Sequence, residues 1–86
     1  MAGLMNIGFG NVVNTDKIIT IISPDSAPAK RMVQRAKEDD RIVDATQGRR
    51  TKSVILTESS HIILSALQPD TLAGRFQGKD LTEEGK

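Results

Sequence analysis

Apolar residues fall along this chain in short bursts with two different periods. Leu4-Met5-Asn6-Ile7, Ile18–Ile22, Ile42-Val43, Val54-Ile55-Leu56 and Ile62-Ile63-Leu64 are brief, mostly β-branched, and bounded by Gly, Asn, Asp, Ser or Thr. Runs of this kind read as strands. Ala29, Met32, Val33 and Ala36 instead share one stripe at helical spacing, which predicts a helix over about 27–39. Ser23-Pro24-Asp25-Ser26-Ala27-Pro28 supplies its start. Ser23 or Ser26 can cap the first free N–H groups, and a proline in the first turn loses no hydrogen bond. Gln68-Pro69-Asp70-Thr71 opens a second, shorter helix over about 69–77, with Leu72, Ala73 and Phe76 as its apolar side and Gly78 as its stop. The pattern predicts an α+β fold: a small, mainly antiparallel β-sheet with one longer helix and one short C-terminal helix.

The connections are equally readable. Gly8-Phe9-Gly10-Asn11 interrupts the first extended run before Val12-Val13 resumes it, so it reads as a turn. A phosphate cradle would need a third glycine and a closing Lys-Ser or Lys-Thr, which are missing. Phe9 at the tip is either a packing contact or an interface residue. Ile18–Ile22 is apolar on both faces except at Thr20, which predicts burial on two sides. Asp39-Asp40 reads as a solvated turn after the first helix. Strands over 41–46 and 51–57 most simply pair as a β-hairpin, with Gln47-Gly48-Arg49-Arg50-Thr51-Lys52 at its tip. The folded unit is one domain, residues 1–78, followed by a polar tail, 79–86, expected to be disordered.

Composition narrows the chemistry. With no Trp, no Tyr and only two Phe in 86 residues, the core must be built from Ile, Val, Leu and Ala. Sharing apolar surface between subunits is then attractive. The absence of cysteine excludes disulfides and thiolate metal sites, and a single histidine excludes a multi-histidine site. No cofactor or small-molecule substrate is expected. No basic segment precedes a long apolar one, and no run approaches membrane-spanning length, so a cytoplasmic protein with no membrane partner is expected. Ser60-His61 invites a hydrolase reading, but neighbours on a strand point to opposite faces. His61 therefore reads as a structural, hydrogen-bonded residue, and no catalytic constellation remains.

Charge adds the one sharp feature. Twelve basic and eleven acidic residues leave a formal net charge of +1. Residues 30–52 nevertheless hold eight cations against four acids, and residues 80–86 hold three acids against one lysine. Arg49, Arg50 and Lys52 put three cations within four residues, directly after Gly48, which takes positive φ without steric conflict. Guanidinium forks match phosphate oxygens in pairs. The plain alternative is a solvated turn. Lys17, just before Ile18–Ile22, is a cation at a strand edge, solubilising by itself.

Several stretches together resemble the RemA family. They are Asn6-Ile7-Gly8-Phe9-Gly10-Asn11, then Ser23 to Met32, then Asp44-Ala45-Thr46-Gln47-Gly48-Arg49-Arg50-Thr51, and then Ser60 to Pro69. The likeness runs from about Asn6 to Phe76. It implies a small bacterial regulator that binds double-stranded DNA, activates biofilm extracellular-matrix genes and assembles into a ring-like homo-oligomer. It also implies that Arg49 and Arg50 are the DNA-contacting pair, with Lys52 beside them. Lys17 stands where a family member has a functionally important arginine, keeping the charge but losing the fork. Pro28 and Met32, in the helix-start motif, are assigned to shape or assembly. The alternatives are an oligomeric protein-interaction scaffold and an RNA-binding protein, the latter disfavoured because only Phe9 and Phe76 could stack on bases.

Overall fold

A computed structural model describes residues 3–78. In chain order these form β1 (Leu4–Gly8), β2 (Asn11–Asn14), a single 3₁₀ turn (Thr15–Lys17), β3 (Ile18–Ile22), α1 (Ala27–Glu38), β4 (Ile42–Asp44), β5 (Ser53–Thr57), β6 (Ile62–Ser65) and α2 (Pro69–Gly78). The fold is α+β, with one longer and one shorter helix as the periodicities require. The expected tail, 79–86, lies outside the described residues.

β1 and β2 make an antiparallel hairpin, with Leu4 opposite Asn14 and Asn6 opposite Val12. Its tip is a two-residue turn with Phe9 at φ 55° and Gly10 at φ 80°. Two positive φ values in succession match the twist of the flanking strands. α1 begins where Ser26, rather than Ser23, accepts a hydrogen bond from the Ala29 N–H at 3.2 Å. It ends where Asp40 takes φ 62° and the Arg41 N–H reaches back to the Ala36 carbonyl at 2.7 Å. That closure satisfies carbonyls the helix leaves free. Asp39 meets Arg41 at 3.1 Å, which offsets an acid at the negative end of the helix dipole.

The main sheet has four strands in the order β3-β5-β6-β4. β5 pairs antiparallel with β3 and with β6, whereas β4 pairs with β6 in parallel, Ile42 opposite Ile62 and Val43 opposite Ile63. The expected hairpin between 41–46 and 51–57 does not form. The reason is register. Closing Thr46–Arg49 as its turn would set Val54, Ile55 and Leu56 opposite Arg41, Asp40 and Asp39. Register follows matched apolar faces. In the observed sheet Ile55 instead lies between Ile21 and Ile63.

The sheet is covered on both sides. On one, α1 places Ala36, Met32 and Val33 against Val54, Ile62 and Leu64. On the other, the β1–β2 hairpin and α2 bring Met5, Ile7 and Leu72 onto Ile55 and Ala45. This double cover is why the central strands are apolar at successive positions. β3, an edge strand, departs from that expectation. A bulge between Ile18 and Thr20 turns Ile19 outward, leaving it 60% exposed.

The chain between β4 and β5 must cross the end of β6. Both feet of the crossing are tied to that strand: the Ala45 N–H donates to the Leu64 carbonyl at 2.9 Å, and the Lys52 N–H to the Ser65 carbonyl at 2.8 Å. Between the feet, Gln47 (φ 55°) and Gly48 (φ 80°) form a second two-residue turn, closed by the Arg49 N–H on the Thr46 carbonyl at 3.0 Å. Asp44 braces the first foot, its Oδ1 accepting from Thr46 Oγ1 at 2.6 Å and from the Thr46 N–H at 2.9 Å. Two fully buried serines lock the surroundings. Ser65 Oγ donates to the Ile7 carbonyl at 2.9 Å, tying the small hairpin to the sheet, and Ser53 Oγ donates to the Leu67 carbonyl at 2.5 Å.

Two outcomes follow from this packing. Leu72 is the fully buried contact that holds α2 on the sheet, so Leu72→Ala should lower unfolding stability by about 3 kcal/mol in a urea titration. The second concerns Asp44, whose carboxyl lies below its ordinary 3.8, chiefly through the Thr46 hydroxyl and then the Thr46 N–H. Its folded pKa is thus below its unfolded one, so these bonds add stability above about pH 4, and that gain is lost as pH falls through the depressed value. Thr46→Val should raise the Asp44 pKa in a carboxyl NMR titration and flatten the acid limb of the stability profile.

Candidate nucleic-acid interface

The crossing loop carries Arg49, Arg50 and Lys52, all exposed, at the end of the main sheet. Each is displayed by a constrained backbone rather than a free tip: a positive-φ turn on one side, and the tied Lys52 N–H and buried Ser53 on the other. Among the described residues the ion pair within 4 Å joins Arg41 to Asp39, and none involves these three cations. Their charge is therefore available to a partner.

Two depressions flank the loop. One, of about 400 Å³, is lined by the carboxylates of Asp25 and Asp70 as well as by Arg50 and Lys52. The second, of about 380 Å³, is lined by Phe9, Arg49, Arg50, Lys52, Ala66 and Leu67, with no carboxylate. The positive charge is thus opposed by carboxylates on the first side and unopposed on the second. The Arg49 guanidinium carbon stands 5.8 Å from the centre of the Phe9 ring, within cation–π range. The sequence separates these residues by 40 positions, and no linear signal joins them. The two meet because core packing of Met5 and Ile7, together with the Ser65–Ile7 bond, seats the hairpin beside the loop.

The other expected residues lie elsewhere. Lys17 closes the 3₁₀ turn, and its carbonyl accepts from the Glu58 N–H at 2.8 Å. That is the far end of β5, roughly 20 Å of strand from Lys52. Within one chain Lys17 and the arginine pair are therefore separate. Pro28 is exposed in the first turn of α1, and Met32 is half-buried against the Val54–Ile62–Leu64 cluster. His61 bonds through Nδ1 with Ser59 Oγ at 2.8 Å, not with Ser60. Thr57 Oγ1 lies 3.1 Å from the same Ser59 Oγ and donates to the His61 carbonyl. Ser60, at φ 67°, turns away, and its carbonyl accepts from Arg41 Nη1. Ser59, Ser60 and His61 are exposed, Thr57 is buried, and together they hold the β5–β6 turn. Among the described residues no set of three or more His, Cys, Asp or Glu side chains could hold a metal ion, and no helix is long and apolar enough to cross a membrane.

Comparison with known proteins matches this sequence to one family. A protein of Geobacillus thermodenitrificans, provisionally described as regulatory, is 56% identical over 86 residues, 99% of each chain. Relatives under the same description occur in Brevibacillus brevis, 58% identical over 77 residues and 90% of each chain, and in Fervidobacterium nodosum, 57% identical over 76 residues, 88% of this chain and 82% of that one. The profile described as RemA-like, extracellular matrix regulatory protein A-like, matches residues 4–76, from the first strand into the last helix. Both the loop with its three cations and the hairpin beside it fall inside that span, and the chain belongs to the RemA-like family of regulatory proteins.

Proposed function

We propose that this regulatory protein acts by binding double-stranded DNA, that it activates transcription of extracellular-matrix genes in the cytoplasm, and that it does so as a ring-like homo-oligomer without enzymatic activity. One observation carries the reading. Arg49, Arg50 and Lys52 stand exposed and unneutralised on a loop whose two feet are hydrogen-bonded to a buried strand. A rigid loop loses little conformational freedom on binding, so each fork can engage a phosphate at small entropic loss.

A chain of net charge +1 is a poor monomeric DNA binder. Repeating the loop around a closed assembly makes many weak phosphate contacts act together. Self-association is supported by exposed apolar residues on both edge strands, Ile19 on β3 at 60% and Val43 on β4 at 48% exposure. The two edges are unlike surfaces, and a contact between unlike surfaces, repeated, closes into a ring when the rotation permits. Lys17, at the far end of β5, would be a second and weaker phosphate contact. Pro28 and Met32 would act through the shape of α1 rather than by touching DNA.

Light scattering of the protein with and without a duplex of roughly 21 base pairs tests assembly and binding together. The expected result is a multimer alone and a heavier complex with DNA. Arg49→Ala with Arg50→Ala should lower duplex affinity roughly hundredfold or more while fold and assembly persist. The dependence of log affinity on log salt should become shallower as well, because fewer counterions are released. Unchanged affinity in that double variant would remove the site. Lys17→Ala should weaken binding less and reduce the salt slope by about one unit for each lysine in contact with DNA.

A further inference from the structure

Phe9 is the residue whose conformation is hardest to reconcile with a purely structural role. It holds φ 55° at the first central position of the hairpin turn. Asn, Asp and Gly are favoured there, and a bulky side chain is sterically penalised. Burial does not compensate, since the residue remains 51% exposed. An outlier of this kind at a surface tip points to function.

The surroundings identify the partner chemistry. Phe9, Ala66 and Leu67 form an apolar floor, and Arg49, Arg50 and Lys52 form a cationic rim around a cleft that no carboxylate lines. Arg49 is held over the ring itself, 5.8 Å from its centre. An apolar floor bordered by cations complements an apolar surface bordered by phosphates. A DNA groove is such a surface, with sugar and base faces between two phosphate rows.

We propose that Phe9 is a further DNA-contacting residue. Its ring lies against sugar and base faces in the groove while Arg49, steadied by that ring, takes the adjoining phosphate. The inference rests on the DNA-binding reading above and adds the apolar half of the contact. A ring pressed into a groove opens the local base step and bends the duplex, so Phe9 would favour sequences that deform easily.

The test is Phe9→Asn, which installs the Asn-Gly pair that this turn type prefers. The variant should assemble to the same mass and melt no lower than the unsubstituted protein. Its affinity for the same duplex should fall at least roughly fivefold at fixed salt. The salt slope should stay unchanged, because no phosphate contact is removed. Energy transfer between dyes on the duplex ends should report less bending. Phe9→Tyr, which keeps the ring, should bind within about twofold of the unsubstituted protein. If the unsubstituted protein retains DNA and Phe9→Asn binds equally well, the role of Phe9 is overturned while the DNA-binding reading stands. A lower melting temperature for Phe9→Asn would also overturn it, by showing that the ring serves packing. Failure of the unsubstituted protein to retain any duplex would overturn both.

Discussion

The matching of apolar faces between neighbouring strands governs the rest of this structure. Ile55 must have apolar neighbours on both sides, and Ile21 and Ile63 supply them. That choice excludes β4 from pairing with β5 and sends it to the far side of β6. The chain between β4 and β5 then has to pass over the end of β6. A crossing segment carries polar backbone that cannot be buried without partners. Its feet find them in the Leu64 and Ser65 carbonyls, and its middle stays in solvent. The display of the cations is thus a consequence of hydrophobic register, two steps removed.

Much of this was legible in the sequence, and the failures have physical causes. Both helices, the Ala29–Met32–Val33–Ala36 stripe and the turn at Gly8–Asn11 follow from local periodicity and turn chemistry. Strand order does not, because it depends on which apolar faces meet at long range. The hairpin reading of 41–57 relied on proximity in sequence. The arithmetic against it was available, since it sets Ile55 opposite Asp40. The expectation that Arg49 and Arg50 face outward held nonetheless, because a tight turn and a crossing loop both put Gly48 and its neighbours at a chain reversal. The position of Phe9 beside Arg49 was not legible. It depends on long-range contacts that seat the hairpin: Met5 and Ile7 packed in the core and Ser65 bonded across 58 residues to Ile7. The side-chain partner of His61 is Ser59 rather than the sequence neighbour Ser60, because the positive φ of Ser60 turns that residue away.

The electrostatics reward attention to place rather than total. A balance of twelve cations and eleven acids says little about binding, since charges farther apart than about 10 Å are largely screened at 0.1 M salt. Lys17 and the Arg49–Lys52 group stand about twice that distance apart along β5. They are electrically independent within one chain. The loop itself has two unequal sides. Toward Asp25 and Asp70 its field is partly cancelled, and toward Phe9 and Leu67 it is not. The unopposed positive charge therefore lies on the hairpin side.

That asymmetry links the strained turn to the charge. On the uncancelled side apolar residues line the cleft beside the cations, and under the proposed reading a phosphate held there would be less well hydrated and more strongly attracted to a guanidinium than on an open surface. Arg49 already leans on the Phe9 ring and gives up less freedom when it binds. Under that reading the same aromatic group would supply a contact surface, a drier setting and a restraint on its neighbour. A small polar residue at position 9 would relax the turn and lose all three. A protein spends local stability in this way where binding rather than folding is the task. In this domain, the place where turn chemistry is violated coincides with the place where cations collect without opposing acids.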